Sequence, residues 1–325
     1  MQDRLTSLEL CAGAGGQAIG LERAGFDHVG VVEIDHDCCN TLRLNRPEWR
    51  VVEQDLREFA KGDLSLFKGI DLLAGGLPCP PFSIAGKQLG ELDERNLFPV
   101  ALDLVEALRP RAVMIENVRG FLGAVFEDYR KHLAKRFDQL GYHAEWRLLN
   151  ASDFGVPQLR PRVVIVAMQR DLAPLFAWPA VLEHNPVTVG EAIGDLMAAG
   201  GWRGVKRWRA GADEIAPTLV GGSKKHGGPD LGPTRARQAW ASLGVNGKSL
   251  AETAPERDFV GMPRLTVPMV ARVQGFPDTW QFSGRKTAAY RQVGNAFPPP
   301  VAAAVATKIS EALQAANQVR QFNRA

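Results

Sequence analysis

The sequence predicts an α/β fold, a mainly parallel sheet with helices on both faces, interrupted by a second, smaller and irregular domain. Three observations carry this expectation. Apolar strand-like runs alternate with helical patterns along the first half of the chain, with short connections between them. After Met168 the character changes: residues 170–265 are rich in Gly, Pro and Trp and lack clear periodicity. The alternating pattern then returns with "RVQGFP" and "RQVGNAFPPPVAAAVATKISEAL", whose last part reads as a helix begun after a proline run.

Taken in order, "TSLELCAG" reads as a strand and "GQAIGLERAGF" as a helix closed by Gly25. "HVGVVEID" is a second strand, "HDCCNTLRLN" a helix, "RVVEQD" a short strand and "GIDLLAGG" a further one. Helix "FPVALDLVEALRP", strand "RAVMIENV", helix "FEDYRKHLAKRFDQLG" and strands near "HAEWRLLNA" and "RVVIVAM" follow. The expected bounds are 1–172 for the first domain, 173–284 for the inserted domain with its hinge, and 285–325 for a C-terminal segment that returns to the pattern of the first.

A chain of 325 residues suits two domains, and 45% hydrophobic with 23% charged residues is ordinary for a globular protein. No apolar run is long enough to span a bilayer, and "MQDRLTSLEL" does not read as a secretory signal. Cys11, Cys38, Cys39 and Cys79 form no C-x-x-C pair and no zinc spacing, so no metal site and no disulfide framework are expected. The expected location is the cytoplasm. Net charge is only +3, but residues 201–240 carry eight basic side chains against three acidic ones. Such segregation suits a polyanionic partner docked at one place, or a solvated loop face.

"LELCAGAGGQAIG" sets glycines between a strand and a helix, where the backbone must turn tightly and let a ligand approach. Gly13-x-Gly15-x-x-Ala18 fits the relaxed dinucleotide fingerprint, and Glu33 lies 20 residues past Gly13, placed to accept both hydroxyls of a ribose. The pattern points to an adenosine cofactor without separating NAD from S-adenosylmethionine. Asp55, in "EQDL", taken singly reads as a helix cap, and taken with Glu33 reads better as an acceptor for an adenine amino group.

In "GGLPCPPFS" three prolines brace Cys79 just after a strand, at the carboxyl edge where such sheets bind ligands. The thiolate is the nucleophilic form of cysteine. Glu116 ends "RAVMIENV" at the same edge, a candidate acid or hydrogen-bond donor. In "GVPQLRPRVVIV", Arg160 and Arg162 are alternate residues of an extended segment, so both guanidinium groups are expected to converge on the pocket.

With these motifs in this order, the chain resembles the DNA cytosine-5 methyltransferases of bacterial restriction–modification systems. The motifs that carry the resemblance are "LELCAGAGG", "EID", "PCPPFS", "ENV", "QLRPR" and "RQVGNAFPPPV". It implies a class I S-adenosylmethionine-dependent methyltransferase fold, Rossmann-like, with an inserted, β-rich target-recognition domain. It implies S-adenosylmethionine as donor and S-adenosylhomocysteine as product, double-stranded DNA as partner, no membrane association, and a monomer. A cognate restriction endonuclease would act separately.

By this similarity, Cys79 adds to carbon 6 of a cytosine turned out of the duplex, while Glu116 bonds or protonates nitrogen 3. Arg162 and Arg160 hold the base and stabilise its charge. The donor set carried over is Cys11, Ala12, Gly13, Gly15, Glu33, Ile34, Asp55, Leu56, Gly76, Pro78, Leu97, Asn295 and Ala296, with "QVGNAFPPPV" folding back against the first glycine turn. The segment 83–98, hinged at Gly86 and Gly90, resembles the family's mobile catalytic loop, in which Ser83, Lys87 and Gln88 meet DNA. In the insert, Arg203, Lys206, Arg207, Arg209, Lys224, Lys225, Arg235 and Arg237 are the expected DNA contacts, Trp202 and Trp208 alternate with cations, and Thr218-Leu219 resembles a short recognition-domain motif.

Two departures stand out: Cys11 where the family usually has Phe, and Pro80 where Gln is usual. Three rivals are weighed. A nicotinamide-dependent oxidoreductase explains the first turn but neither the basic insert nor the Cys79/Glu116/Arg162 set. A transfer-RNA cytosine methyltransferase of the same fold carries a Cys-Phe-Thr motif in its recognition part, and this chain has no cysteine after residue 79. A catalytically silent DNA-binding protein has no use for the intact set.

Overall fold

In the computed structural model, which describes residues 4–78, 96–182, 186–222 and 228–322, strand and helix alternate from the start. β1 (Leu5–Leu10), α1 (Gly16–Arg23), β2 (Phe26–Glu33), α2 (His36–Asn45), β3 (Val51–Glu53), α3 (Leu56–Lys61) and β4 (Leu72–Gly76) come first. They are followed by α4 (Phe98–Leu108), β5 (Ala112–Val118), α5 (Glu127–Gln139), β6 (Tyr142–Asn150) and β7 (Pro161–Gln169). The seven strands form one sheet in the order β3-β2-β1-β4-β5-β7-β6. β3, β2, β1, β4 and β5 run parallel, and β7 is antiparallel to β5.

This order has a functional consequence. From β1 the chain builds outward through β2 and β3, then returns to the other side of β1 with β4 and β5. The strand order therefore reverses between β1 and β4, and ligands of open α/β sheets bind outside the carboxyl ends at such a switch point. The glycine turn after β1 and the Leu77–Pro78 segment after β4 both begin there.

Burial explains the element types. Val163 to Met168 of β7 are all buried, the continuous apolar run of a strand covered on both faces. In α4, Phe98, Ala101, Leu102, Val105 and Leu108 recur at helical spacing and point into the core with Phe121, Leu133 and Phe137. Each fully buried Leu, Val or Phe contributes about 1.5–3 kcal/mol relative to exposure. Asp35 caps α2 by accepting from the backbone of Asp37 at 3.0 Å and Cys38 at 3.3 Å. At the amino ends of the strands, Asp71 accepts from Thr6 N at 2.9 Å and from Arg111, whose other arm donates to Leu313 O.

The chain divides into two compact units. The sheet unit comprises 1–149, 161–180 and 301–325, so both ends of the chain build it. α11 (Pro299–Phe322) supplies the late contribution. A Cβ on Gly20 of α1 would lie 2.4 Å from Ala302 Cβ and 2.7 Å from Ala303 N, so α1 accepts α11 only through a glycine at that position.

The second unit comprises 150–160 and 181–300, taking in the segment 285–300. Its helices are α6 (Val189–Ala198), α7 (Val205–Gly211), α8 (Thr234–Ser242), α9 (Val267–Val273) and α10 (Lys286–Asn295). The β-rich character expected of it is not found. Among the described residues it has helices, loops and two isolated bridges, Gln158 with Ala216 and Gly201 with Glu256. The physical reason is visible at α6, where Val189, Ile193 and Met197 recur at helical spacing behind a Thr188–Glu191 capping box. Trp202, Trp208 and Trp240 are buried and form part of this unit's core. No described helix is long and apolar enough to cross a membrane.

Candidate active site

The turn after β1 is conformationally demanding. Gly13 and Gly15 have φ of 56° and 87°, and Cys11 adopts φ 53°, a left-handed conformation that strains a residue with a Cβ. Gly15 then starts α1 without a side-chain cap. Glu33, at the end of β2 and only 8% exposed, holds the turn in place. Its Oε2 accepts from Gly13 N at 2.7 Å, and its Oε1 accepts from Ile34 N at 2.8 Å and Asp35 N at 2.7 Å. Burial raises its carboxyl above the usual range, and these three backbone donors pull against it. Three of about four lone-pair sites are thus occupied. The carboxylate has room for one further hydroxyl, where two were expected.

Ile34 is 64% exposed directly beside Glu33, an apolar face left at the carboxyl edge, while Leu56 and Leu97 are buried. Asp55 is the N-cap of α3, its Oδ1 accepting from Arg57 N at 2.7 Å. Cys11 is half-buried, and its thiol is pushed far up, first by burial and then by the negative charges of Glu33 and Asp55. It stays a thiol at physiological pH and is not a nucleophile.

β4 and β5 bring the second half of the site together. Gly76 pairs with Glu116 in the ladder, so the acid stands beside the strand end that leads into Pro78 and Cys79. Glu116 is 8% exposed and its Oε1 lies 2.7 Å from Arg162 Nε; Arg162 also donates to Pro161 O at 2.9 Å. Antiparallel pairing of Val118 with Arg162 across β5 and β7 delivers this ion pair. The side-chain direction of Gly76 is ringed by oxygens: a Cβ there would lie 3.6 Å from Glu116 Oε2, 3.8 Å from Cys11 O and 3.9 Å from Gln17 Oε1.

The expected convergence of Arg160 with Arg162 does not occur. Arg160 precedes β7, belongs to the second unit and is 1% exposed. Its guanidinium donates to Leu219 O at 2.7 Å, Gly294 O at 2.7 Å and Ala296 O at 3.0 Å. It is a structural knot between "QLR", "TLVGG" and "VGNA", and the alternate-residue expectation fails because the strand begins only after it. Gln158 reinforces the knot through Leu219 N at 2.9 Å and Gln274 at 2.7 Å. Asn295, expected at the donor, donates to Gly222 O at 3.1 Å, and Ala296 O accepts from Arg160 and Gln274.

Of the expected DNA contacts, Lys206, Arg207, Arg209 and Arg235 are exposed, Arg203 pairs with Asp258 at 2.8 Å, and Arg237 is half-buried beside Thr234 Oγ1 at 3.3 Å. Trp202 and Trp208 offer no stacking surface, since both are buried and Trp202 Nε1 donates to Phe259 O. Cys79, Ser83, Lys87, Gln88, Lys224 and Lys225 lie outside the described residues.

Two polar groups near the turn escaped the sequence reading. Glu9 in β1 is fully buried with neither oxygen in a normal hydrogen bond among the described residues. Burial first, and then Glu33, push its carboxyl well above the usual range. Gln17 in α1 is 3% exposed, and its Oε1 has no partner among the described residues. The signal for both was a polar residue inside an apolar run, "LEL" and "QAIG".

A switch-point site with a strained glycine turn, an acid that caps α3 and a Glu–Arg pair fits an α/β enzyme of the transferase kind. Residues 5–311 match the C-5 cytosine-specific DNA methylase family, and the chain belongs to it. It is a DNA (cytosine-5) methyltransferase, transferring a methyl group to carbon 5 of cytosine in DNA. It is 55% identical over 312 residues to the Type II methyltransferase M.NaeI of Lentzea aerocolonigenes, covering 95% of this chain and 75% of that one. It is 53% identical over 317 residues to M.NgoMIV of Neisseria gonorrhoeae, covering 97% and 100%. Among solved structures, the Entamoeba histolytica methyltransferase EhMeth has the same fold, with TM-score 0.65, 16% identity, and 96% and 99% of the two chains covered.

Proposed function

We propose that S-adenosylmethionine is the methyl donor and that this chain methylates a specific double-stranded site as the modification half of a Type II system, with a cognate endonuclease acting separately. The residues at the switch point fit such a donor. Glu33 retains one acceptor position for a ribose hydroxyl, Ile34 offers an apolar face to an adenine, and the oxygen-ringed space at Gly76 would be filled by any side chain there. When bound, the donor supplies an electrophilic methyl group on a sulfonium.

Everything else falls to the chain. Carbon 5 of cytosine is a weak nucleophile, so Cys79 attacks carbon 6 as a thiolate and pushes electrons toward nitrogen 3, where Glu116 bonds or protonates the ring. Carbon 5 then carries enamine character and becomes methylated. Loss of its proton and expulsion of the thiolate restore the aromatic ring as 5-methylcytosine. Arg162 holds the Glu116 carboxylate in a fixed orientation and faces the charge that builds on the base. The base reaches this chemistry only outside the helical stack, at a cost of a few kcal/mol. The second unit supplies the contacts to sequence and phosphate, with the exposed cations of α7 and α8 as the phosphate anchors.

The observation that carries this reading is the Glu116–Arg162 pair beside Gly76, three residues before Cys79. Bisulfite sequencing of DNA from cells expressing the protein tests it. Protected cytosines within one recurring sequence are expected, and their loss in Cys79→Ser. Protection that persists in that variant contradicts the role of the thiol.

A further inference from the structure

We propose that Gln17 is a positioning residue for the methyl donor, its side-chain carbonyl accepting a hydrogen bond from the ammonium at the donor's amino-acid end. This rests on S-adenosylmethionine being the donor. Gln17 is the second residue of α1, where solvent exposure would be the ordinary fate of an amide, yet it is buried and extends across the sheet to β5. There its Nε2 donates to Met114 O at 3.4 Å. A backbone carbonyl can only accept, so this contact turns the amide nitrogen toward Met114 and the oxygen away from it.

That oxygen faces the space beside Gly76, with Cys11 O and Glu116 Oε2 as its neighbours. Among the described residues, the three atoms nearest that point outside Gly76 and its chain neighbours are all acceptors. A buried amide oxygen without a hydrogen bond is costly to the fold, and such a group is retained where a ligand or water completes it.

The chemistry of the cradle selects the ligand group. An ammonium has three N–H donors and no acceptor, matching a set made only of oxygens. A ribose hydroxyl brings its own lone pairs and already has Glu33. The field agrees in sign: after burial, which is the larger cause, the negative charges of Glu33 and Asp55 also raise the Cys11 thiol. A sulfonium carries the right charge but no polar hydrogen.

Calorimetric titration of the full chain separates the possibilities. Two ligands are compared: S-adenosylhomocysteine, which has the amino-acid end, and 5′-deoxy-5′-methylthioadenosine, which lacks it. The near-isosteric Gln17→Met is expected to bind S-adenosylhomocysteine at least about tenfold more weakly and the truncated nucleoside within about twofold of wild type, a loss of about 1.4 kcal/mol confined to one ligand. Gln17→Leu serves as the second variant, with thermal unfolding confirming that each is folded. Equal weakening of both ligands, or none, overturns the role of Gln17 while leaving the donor in place; a water-filled cradle gives that result. Wild-type protein that binds neither ligand removes the donor itself and the proposal with it.

Discussion

The two ends of the sheet treat polar groups in opposite ways. At the amino end, Asp71 accepts from Thr6 N, Thr6 Oγ1 and Arg111, and Arg111 reaches on to α11, so the carboxylate and both terminal guanidinium nitrogens meet partners fixed in the chain, and only Arg111 Nε among these lacks one within the described residues. At the carboxyl end, Gln17 Oε1 and both oxygens of Glu9 lack such partners among the described residues, Cys11 is held at φ 53°, and Ile34 projects from the edge. The first end is arranged for stability. The second keeps strain and unfilled hydrogen-bonding capacity, as expected where a ligand completes the structure.

The contrast is sharpest between Glu116 and the residues around it. Glu116→Gln should lower turnover by about 10²–10⁴-fold, the usual range for a lost proton-transfer group, with DNA affinity nearly unchanged. Single-turnover methylation and a mobility-shift assay check this, and unchanged turnover contradicts its role. Arg160 and Arg162 should part company in the next experiment. Arg160→Met takes the guanidinium donor from Leu219 O and Gly294 O, while Ala296 O keeps Gln274, and should cost about 3 kcal/mol or more in urea unfolding. Arg162→Lys should lose turnover with little change in the unfolding midpoint.

Gly76→Ala tests the open end more gently. Its methyl group would meet nothing closer than 3.6 Å, so the protein should fold as wild type while S-adenosylhomocysteine binding falls by about tenfold or more in calorimetry. Asp71→Asn is the reciprocal change, expected to cost about 1–2 kcal/mol of stability and leave turnover intact.

The smallest effect lies between the two ends. His28 is held between Ser7 Oγ at 3.0 Å and Ala18 O at 3.0 Å, and burial lowers its pKa below the ordinary 6.5. With the folded value depressed, the unfolded chain binds the extra proton first. Its contribution is therefore whole above about pH 6.5 and declines as pH falls toward the folded value. His28→Gln should flatten that part of the stability profile relative to wild type.

Local pattern made much of the sheet unit legible. α2 begins and ends with the run "HDCCNTLRLN", and β4, β5 and β7 fall on their apolar stretches. What sequence could not show was pairing. The antiparallel entry of β7 beside β5, which joins Arg162 to Glu116, depends on contacts between residues 46 positions apart, and no periodicity encodes them. Arg160 misled because a guanidinium is ordinarily a surface group, while here three carbonyls from two distant segments, 219 and 294–296, accept from its terminal nitrogens. Trp202 and Trp208 misled similarly: aromatic residues among cations resemble a nucleic-acid surface, yet the helical spacing of α7 turns Trp208 inward and leaves Lys206 and Arg207 outside. In the second unit, helix-forming periods in short segments lay hidden among glycines and prolines.

The central claim is that the sulfur of Cys79 joins covalently to the pyrimidine it helps to methylate. The most direct measurement uses duplex oligonucleotides with 5-fluorocytosine at the methylated position, where fluorine takes the place of the proton that must leave. With S-adenosylmethionine present, wild-type protein should form an adduct that survives denaturing electrophoresis, and Cys79→Ala should form none. Absence of the adduct with the wild-type protein, or its persistence without Cys79, would contradict the account.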